Sequence, residues 1–333
     1  MIVMGIETSC DETSVALLRD GREVLANVIS SQIDIHKKYG GVVPEVASRK
    51  HLENMNHIIK AALLEANLKF QDIDLIAVTK GPGLVGALLV GVSAAKALAY
   101  GLDIPLIGVN HMEGHICANY ISHKDLEPPF ISLVVSGGHS YLIHVKEYTE
   151  YELIGTTRDD AAGESFDKVA RSLGLGYPGG PLIDALAKKG NPKAFDFPRV
   201  MLEGNSYDFS FSGLKTAVLN TLNGLRQKNL NICVEDVAAS FQEAVLDVLV
   251  EKSFRLLKER KQKILVISGG VSANDGLRKR MEERGAKEDV RIYYPEKILS
   301  TDNAAMIASA GYFHYKKGEC SELSMQVTSN LGL

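Results

Sequence analysis

Val3-Met4-Gly5-Ile6-Glu7-Thr8-Ser9-Cys10-Asp11-Glu12-Thr13-Ser14-Val15-Ala16-Leu17-Leu18 is an apolar run, a polar turn and a second apolar run. Short apolar segments bounded by small and hydroxyl residues read as strands, and Asp20-Gly21 turns the chain tightly into a third, Glu23 to Ile29. The chain therefore opens as a three-stranded antiparallel meander. Beyond Tyr39-Gly40-Gly41-Val42-Val43-Pro44, apolar residues at Ile58, Ile59, Ala62 and Leu63 mark a helix from about Glu45 to Asn67. Strand Leu75 to Thr79, helix Leu84 to Tyr100 and strand Leu106 to Val109 complete the order βββαβαβ.

Pro128-Pro129 marks a boundary, after which the same order begins again. Ile131 to Val135 breaks at Ser136-Gly137-Gly138-His139-Ser140, resumes as Tyr141 to Val145 and pairs with Tyr151 to Ile154. A helical, loop-rich insertion, about 159–260, precedes strand Ile264 to Ile267, helix Gly276 to Arg284, strand Arg291 to Tyr294 and a last helix from Asn303 to about Lys316. The residues match poorly between the halves and the element order matches well. The expected fold class is α/β, with two duplicated βββαβαβα lobes and a cleft between them. The lobes are residues 1–128 and 129–304, and about 305–333 packs back on the first. A chain of 333 residues is long enough for two domains.

Asn110-His111-Met112-Glu113-Gly114-His115 follows a strand and places two imidazoles four residues apart. On a helix such positions share a face with Cβ atoms roughly 5–6 Å apart, near enough for both rings to meet one metal ion. A third ligand must come from elsewhere. The H-E-x-x-H zinc protease motif fails on spacing: Glu113 follows the first histidine by two positions, which turns it off the metal face. The turns Thr8 to Ser14 and Ser136 to Ser140 present backbone N–H groups and hydroxyls to one point, as phosphate oxygens require, and would face one another across the cleft. Ser268-Gly269-Gly270-Val271-Ser272-Ala273-Asn274 leads from a strand into a helix whose N-terminus favours an anion. Three such turns suit a nucleotide.

Gly81-Pro82-Gly83-Leu84-Val85-Gly86 fits G-x-G-x-x-G, with Asp103 beyond it, and makes an NAD-dependent oxidoreductase the formal rival. Against this, the preceding meander is antiparallel, and the following helix is rich in small residues, as a close-packed surface would be. The net charge of −4 gives no global attraction for nucleic acid. Local patches must serve if RNA is bound: Lys37-Lys38, Arg49-Lys50, Lys258 to Lys263 or Arg278-Lys279-Arg280. No segment reads as long or apolar enough to span a bilayer, the start lacks a secretory signal, and the scattered Cys10, Cys117, Cys233 and Cys320 read as reduced thiols, so the expected location is cytoplasmic.

Gly5 to Thr13, Gly40 to Glu45, Gly81 to Gly86, His111 to His115, Val135 to His139, Asp160 to Lys168, Tyr177-Pro178-Gly179-Gly180-Pro181, Phe209 to Lys215, Gly269 to Asn274 and Thr301-Asp302-Asn303 together resemble the TsaD family. These are the bacterial tRNA N6-adenosine threonylcarbamoyltransferases, formerly called glycoprotease-like, and the resemblance runs from Met1 to about Ala310. It implies the actin/Hsp70/sugar-kinase type of two-lobed fold. It also implies transfer of the threonylcarbamoyl group from threonylcarbamoyl-adenylate to N6 of adenosine 37 in tRNAs reading ANN codons, forming t6A and releasing AMP.

The resemblance assigns one divalent metal per subunit, iron or zinc, to His111, His115 and Asp302. It assigns the adenylate, or ATP or ADP, to Val134, Val135, Ser136, Gly137, Gly138, Asp167, Gly180, Asp184 and Asn274, and the essential acidic position to Asp11. The partners it implies are tRNA, a TsaB-type paralogue docking on helix 84–100 and a TsaE-type ATPase, with a TsaC-type synthase making the adenylate and no membrane involved. Two alternatives stand beside it: a metal-dependent ATPase or kinase on the same fold, and a non-catalytic scaffold of the modification complex.

Overall fold

The computed structural model describes residues 1–202 and 204–333. The chain divides into two compact units. The first comprises Met1–Pro128, Glu147–Tyr151 and Pro295–Leu333, and the second Pro129–Lys146 and Glu152–Tyr294. The stretch from Pro295, Asp302 included, thus belongs with the first unit, earlier than the division expected after 304. The reason is packing: the helix that follows Asp302 lies on the first unit's sheet.

In the first unit, β1 (Ile2–Glu7), β2 (Glu12–Arg19), β3 (Glu23–Ser31), β4 (Leu75–Gly81) and β5 (Leu106–Asn110) form one sheet in the order β3-β2-β1-β4-β5. The first three strands are an antiparallel meander, and β1, β4 and β5 run parallel. The helices are α1 (Ile33–His36), α2 (Pro44–Ala66), α3 (Val85–Leu102) and α4 (His111–Ser122). Strand side chains alternate between faces. Met4, Ile6, Ile76 and Val78 pack on Met55 and Ile59 of α2 and Val92 and Ala95 of α3. Gly5 and Ala77 on the opposite face meet the helix at 304–316.

The second unit repeats this plan. Strands β6 (Phe130–Val135), β7 (Ser140–Glu147) and β8 (Glu150–Thr156) precede α5 (Ala162–Ser172), α6 (Gly179–Ala187), α7 (Ser212–Gln227) and α8 (Val234–Arg260). Then come β9 (Ile264–Ser268), α9 (Asp275–Glu288) and β10 (Arg291–Tyr293), with α10 (Lys297–Ser300) and α11 (Ala304–Lys316) returning to the first unit. The sheet order β10-β9-β6-β7-β8 is the first sheet's order again, since β6/β7 is antiparallel and β6/β9 and β9/β10 are parallel. The insertion is shorter than expected, because α8 packs on β6 and β9 as α2 does on its sheet. Apolar residues such as Val237, Phe241, Val245, Leu249 and Phe254 bury α8 on nearly all sides, which leaves little helical periodicity to read.

Helix α3 corrects one expectation. By length and composition Val85–Leu102 is apolar enough to cross a membrane, though a third of it is buried within the protein. The glycines before it also decide against a dinucleotide. A Cβ on Gly81 would lie 2.0 Å from Thr328 O, and one on Gly83 2.6 Å from Ser9 O. These glycines admit the protein's own backbone where a pyrophosphate would have to come.

Candidate metal centre and nucleotide loops

Asn110 ends β5 and caps α4, its side-chain oxygen accepting from Met112 N at 2.9 Å. That sets His111 as the first helical residue and His115 one turn on, with ring centroids 4.7 Å apart. Asp302 precedes α11, whose cap Asn303 accepts from Met306 N at 3.1 Å. Helix α4 follows the last strand of one sheet and α11 the last strand of the other, so the three residues gather at the starts of two equivalent helices, both packed in the first unit. His111 Nε2 is 3.3 Å and His115 Nε2 3.4 Å from Asp302 Oδ1, and one donor atom from each residue lies within 4.8 Å of the others.

A second ring of groups stands behind this trio. His111 Nδ1 is 3.0 Å from Glu7 Oε2 and 3.2 Å from Ser9 Oγ, and Thr79 Oγ1 donates to the same Glu7 oxygen at 2.5 Å. Burial pushes the Glu7 carboxyl up, yet the His111 imidazole and the hydrogen bond from Ser9 together hold Glu7 below its ordinary range. Burial likewise disfavours a charged His111, but Glu7 and Asp302 together raise it well above an ordinary histidine. His115, by contrast, is lowered by its burial. Asp302 is held far below the carboxylate range by the two imidazoles, against its desolvation.

The donor set fits a divalent ion. His115 is 1% exposed, and neither of its ring nitrogens has a hydrogen-bond partner among the described residues. Buried polar atoms are ordinarily bonded. Two imidazole nitrogens aimed at one carboxylate oxygen are ligands that iron or zinc takes, and a carboxylate on the far nitrogen of a histidine is the usual outer support of such a ligand. Glu7 stands in that position and is not singled out in the sequence. Its position at the end of the first strand, before the polar turn, was the available signal.

Asp11 is buried in the turn between β1 and β2, and its backbone oxygen accepts from Gln32 N at 3.0 Å. Beside it, Glu12 is pushed up to about 9 by burial and by the charges of Asp302 and Asp11. His51 of α2 pins the turn, with Nδ1 2.8 Å from Thr13 Oγ1 and Nε2 3.0 Å from Cys10 O.

The other candidate residues lie in the second unit. Val134 and Val135 end β6, Ser136 N donates to His139 O at 2.8 Å, and the space beside Gly137, Gly138 and Gly180 is open. Gly163 N donates to Ser136 O at 3.2 Å, which brings the start of α5 against this turn. Asp167 of α5 accepts from Gly179 N at 2.6 Å, and its burial raises it above an ordinary aspartate. Lys168 turns instead to Asp160 and Glu164, at 2.7 and 2.8 Å. Asn274 caps α9, accepting from Leu277 N at 2.8 Å. Gln242 of α8 joins Asn274 to Asp184, at 2.8 and 3.2 Å. Gln242 was missed in the sequence, where nothing distinguishes it from any other helical glutamine.

The family model described as tRNA N6-adenosine threonylcarbamoyltransferase, TsaD, matches residues 23–309. A Clostridioides difficile (strain 630) protein of that same description is 60% identical over 331 residues, covering 99% of this chain and 98% of its own. Among solved structures, T. kodakarensis HypF superposes with a TM-score of 0.65 at 16% identity, over 95% of this chain and 48% of that one. The activator of 2-hydroxyisocaproyl-CoA dehydratase from Clostridium difficile, solved with bound ADPNP, gives a TM-score of 0.54 at 14% identity, over 98% of this chain and 100% of that one. These distant likenesses concern the fold alone, which is of the actin/Hsp70/sugar-kinase type.

Proposed function

This chain belongs to the TsaD family of tRNA N6-adenosine threonylcarbamoyltransferases, and from that membership we propose how its residues carry the threonylcarbamoyl group to N6 of an adenosine in tRNA. The donor is threonylcarbamoyl-adenylate and the acceptor is adenosine 37 of tRNAs reading ANN codons, with t6A and AMP as products. The observation that carries the proposal is the convergence of His111, His115 and Asp302, with Glu7 bonded behind His111.

His111, His115 and Asp302 hold one divalent ion, iron or zinc, which when bound supplies Lewis acidity and an anchor for a phosphate or carbonyl oxygen. In the second unit, Val134 to Gly138 line the adenylate, with Gly137 and Gly138 letting it approach the protein backbone, and the open space beside Gly137, Gly138 and Gly180 supports that role. Asp167 and Asp184 receive ribose hydroxyls and Asn274 the nucleotide. The fold neighbour solved with ADPNP fits a nucleotide on this scaffold.

The adenine N6 amine is a weak nucleophile and loses a proton as its bond to the carbamoyl carbon forms. Asp11 positions the amine and takes that proton, while the bond from the carbamoyl carbon to the phosphate oxygen breaks and AMP leaves with the electron pair. A TsaB-type paralogue docks on α3, where Val85, Leu89 and Tyr100 are exposed and Leu89 lies near Leu52 of α2. A TsaE-type ATPase completes the assembly in the cytoplasm.

In a reconstituted modification assay, His111→Ala and His115→Ala should lose metal and abolish t6A formation while retaining the wild-type circular dichroism spectrum. Full activity of the chelated, metal-free protein would overturn the assignment. Rapid steady phosphate release without tRNA or partners would favour an ATPase instead.

A further inference from the structure

Glu113 lies between the two histidines in sequence but faces away from them. It is 4% exposed, accepts from Tyr151 Oη at 2.8 Å, and has its other oxygen 2.8 Å from His314 Nε2. His314 sits in the last turn of α11, and its Nδ1 is 2.7 Å from Glu319 Oε2. One residue along α4, Gly114 lets α11 come close, since a Cβ there would lie 2.7 Å from Ile307 Cδ1 and 3.2 Å from Met306 Cγ. Helix α4 therefore grips α11 at its first turn through Gly114 and at its last through Glu113. At about 1.5 Å per residue, Ile307 and His314 are roughly 10 Å apart along the axis.

Contact at one point lets two helices pivot, whereas contact at two separated points fixes both their spacing and their crossing angle. Both metal histidines ride on α4, and Asp302 stands immediately before α11. We propose that Glu113 and His314 are positioning residues, a buried carboxylate–imidazole clamp on the far side of α4 that sets where Asp302 meets the histidine pair. This rests on the metal-site reading above and adds to it a device remote from the ligands. Although α11 also packs on β1, β2, β4 and β5 and its Phe313 ring meets Tyr120 of α4, the clamp is the buried polar contact that fixes the crossing angle at its far end, so loosening it shifts Asp302 against the histidine pair without removing a donor atom. The outer oxygen of the clamp comes from Glu319, beyond the end of α11, which limits rotation of the imidazole.

The test is cobalt(II) binding by the purified full-length chain, read by competition with a chromophoric chelator and by the visible d–d absorption. Thermal midpoints of the metal-free samples are measured alongside. Glu113→Ala should weaken cobalt binding by up to about tenfold, since Glu113 bonds no ligand directly and outer supports that do contribute about tenfold or more, and should shift the d–d bands. Glu113→Gln, which keeps one acceptor, should fall between it and wild type. His314→Gln probes the same clamp at a site that is 18% exposed, and stands in if Glu113→Ala fails to fold. Lower thermal midpoints with unchanged cobalt affinity and spectrum in the folded variants would overturn the proposal, leaving the pair a fold contact only. Failure of the wild-type chain to bind cobalt would instead overturn the metal-site reading itself.

Discussion

At the scale of the residue, what distinguishes this site is how little of its support is near in sequence. His111 touches Glu7, 104 residues earlier, and Asp302 follows 187 residues after His115. Glu7→Gln keeps the volume and a hydrogen-bonding oxygen but removes the charge behind His111. Metal affinity should drop about 10- to 100-fold with the three ligands intact, checked by chelator competition. An unchanged affinity would show that Glu7 only fills space. Gly114→Ala is a second residue-scale case. The added methyl would press on Ile307 and Met306, so it should destabilise the chain by about 1–3 kcal/mol in a denaturant melt.

At the scale of the element, helix α4 is held at both ends. Asn110 caps its start, and at its end Arg22 donates to the carbonyls of Tyr120, His123, Lys124 and Leu126 at 3.1–3.2 Å. A guanidinium suits this place because a helix C-terminus carries negative partial charge and unpaired carbonyls. Arg22→Ala should cost on the order of 2 kcal/mol in a denaturant melt, within the range for losing hydrogen bonds to a charged donor.

The clamp at the other face of α4 makes stability depend on pH. Burial opposes a charged His314, but Glu113 and Glu319 raise it above the ordinary 6.5. Tyr151 also faces Glu113, and its burial pushes its hydroxyl well above the titration range of His314. Because His314 is raised in the folded state, its contribution is fully present below about pH 6.5 and fades as pH climbs through its folded value. The gap in thermal midpoint between wild type and His314→Gln should therefore be widest below pH 6.5 and narrow on the alkaline side. A gap that widens with pH would contradict the ion pair.

At the scale of the whole molecule, the chain's last residues return to the first unit and close it. Ser321 N donates to Leu106 O at 2.7 Å, Thr328 N to Lys80 O at 2.9 Å, and Asn110 Nδ2 to Gly332 O at 2.8 Å. Met325 and Val327 join the core under α2 and α3. Truncation after Glu319 should lower the thermal midpoint by several degrees, since about 1–3 kcal/mol of burial and bonding is lost. It should also weaken metal binding through the Asn110 cap. The net charge of −4 bears on tRNA. Binding by this chain alone should show a shallow salt dependence that steepens when the paralogue is added, and identical slopes would argue against a shared surface.

The duplicated order was legible because short apolar runs bounded by Gly-rich and hydroxyl-rich turns are local signals, and each strand of both sheets falls near its expected place. So was the paired histidine, because helical spacing puts i and i+4 on one face. Helix α8 was hidden inside the insertion because burial on nearly every side erases the polar face that periodicity needs. The glycines from Gly81 to Gly86 looked like a nucleotide loop because a motif states only that backbone must pass closely, not whose. By itself the sequence determined the two repeated sheets and the two imidazoles that share a helical face. Only the tertiary structure decided which further carboxylates stand around those imidazoles: Glu7 bonded behind His111 and Glu113 turned away to His314. Side-chain chemistry and spacing are written along the chain, whereas the meeting of residues far apart in sequence is fixed by which helix faces can be packed.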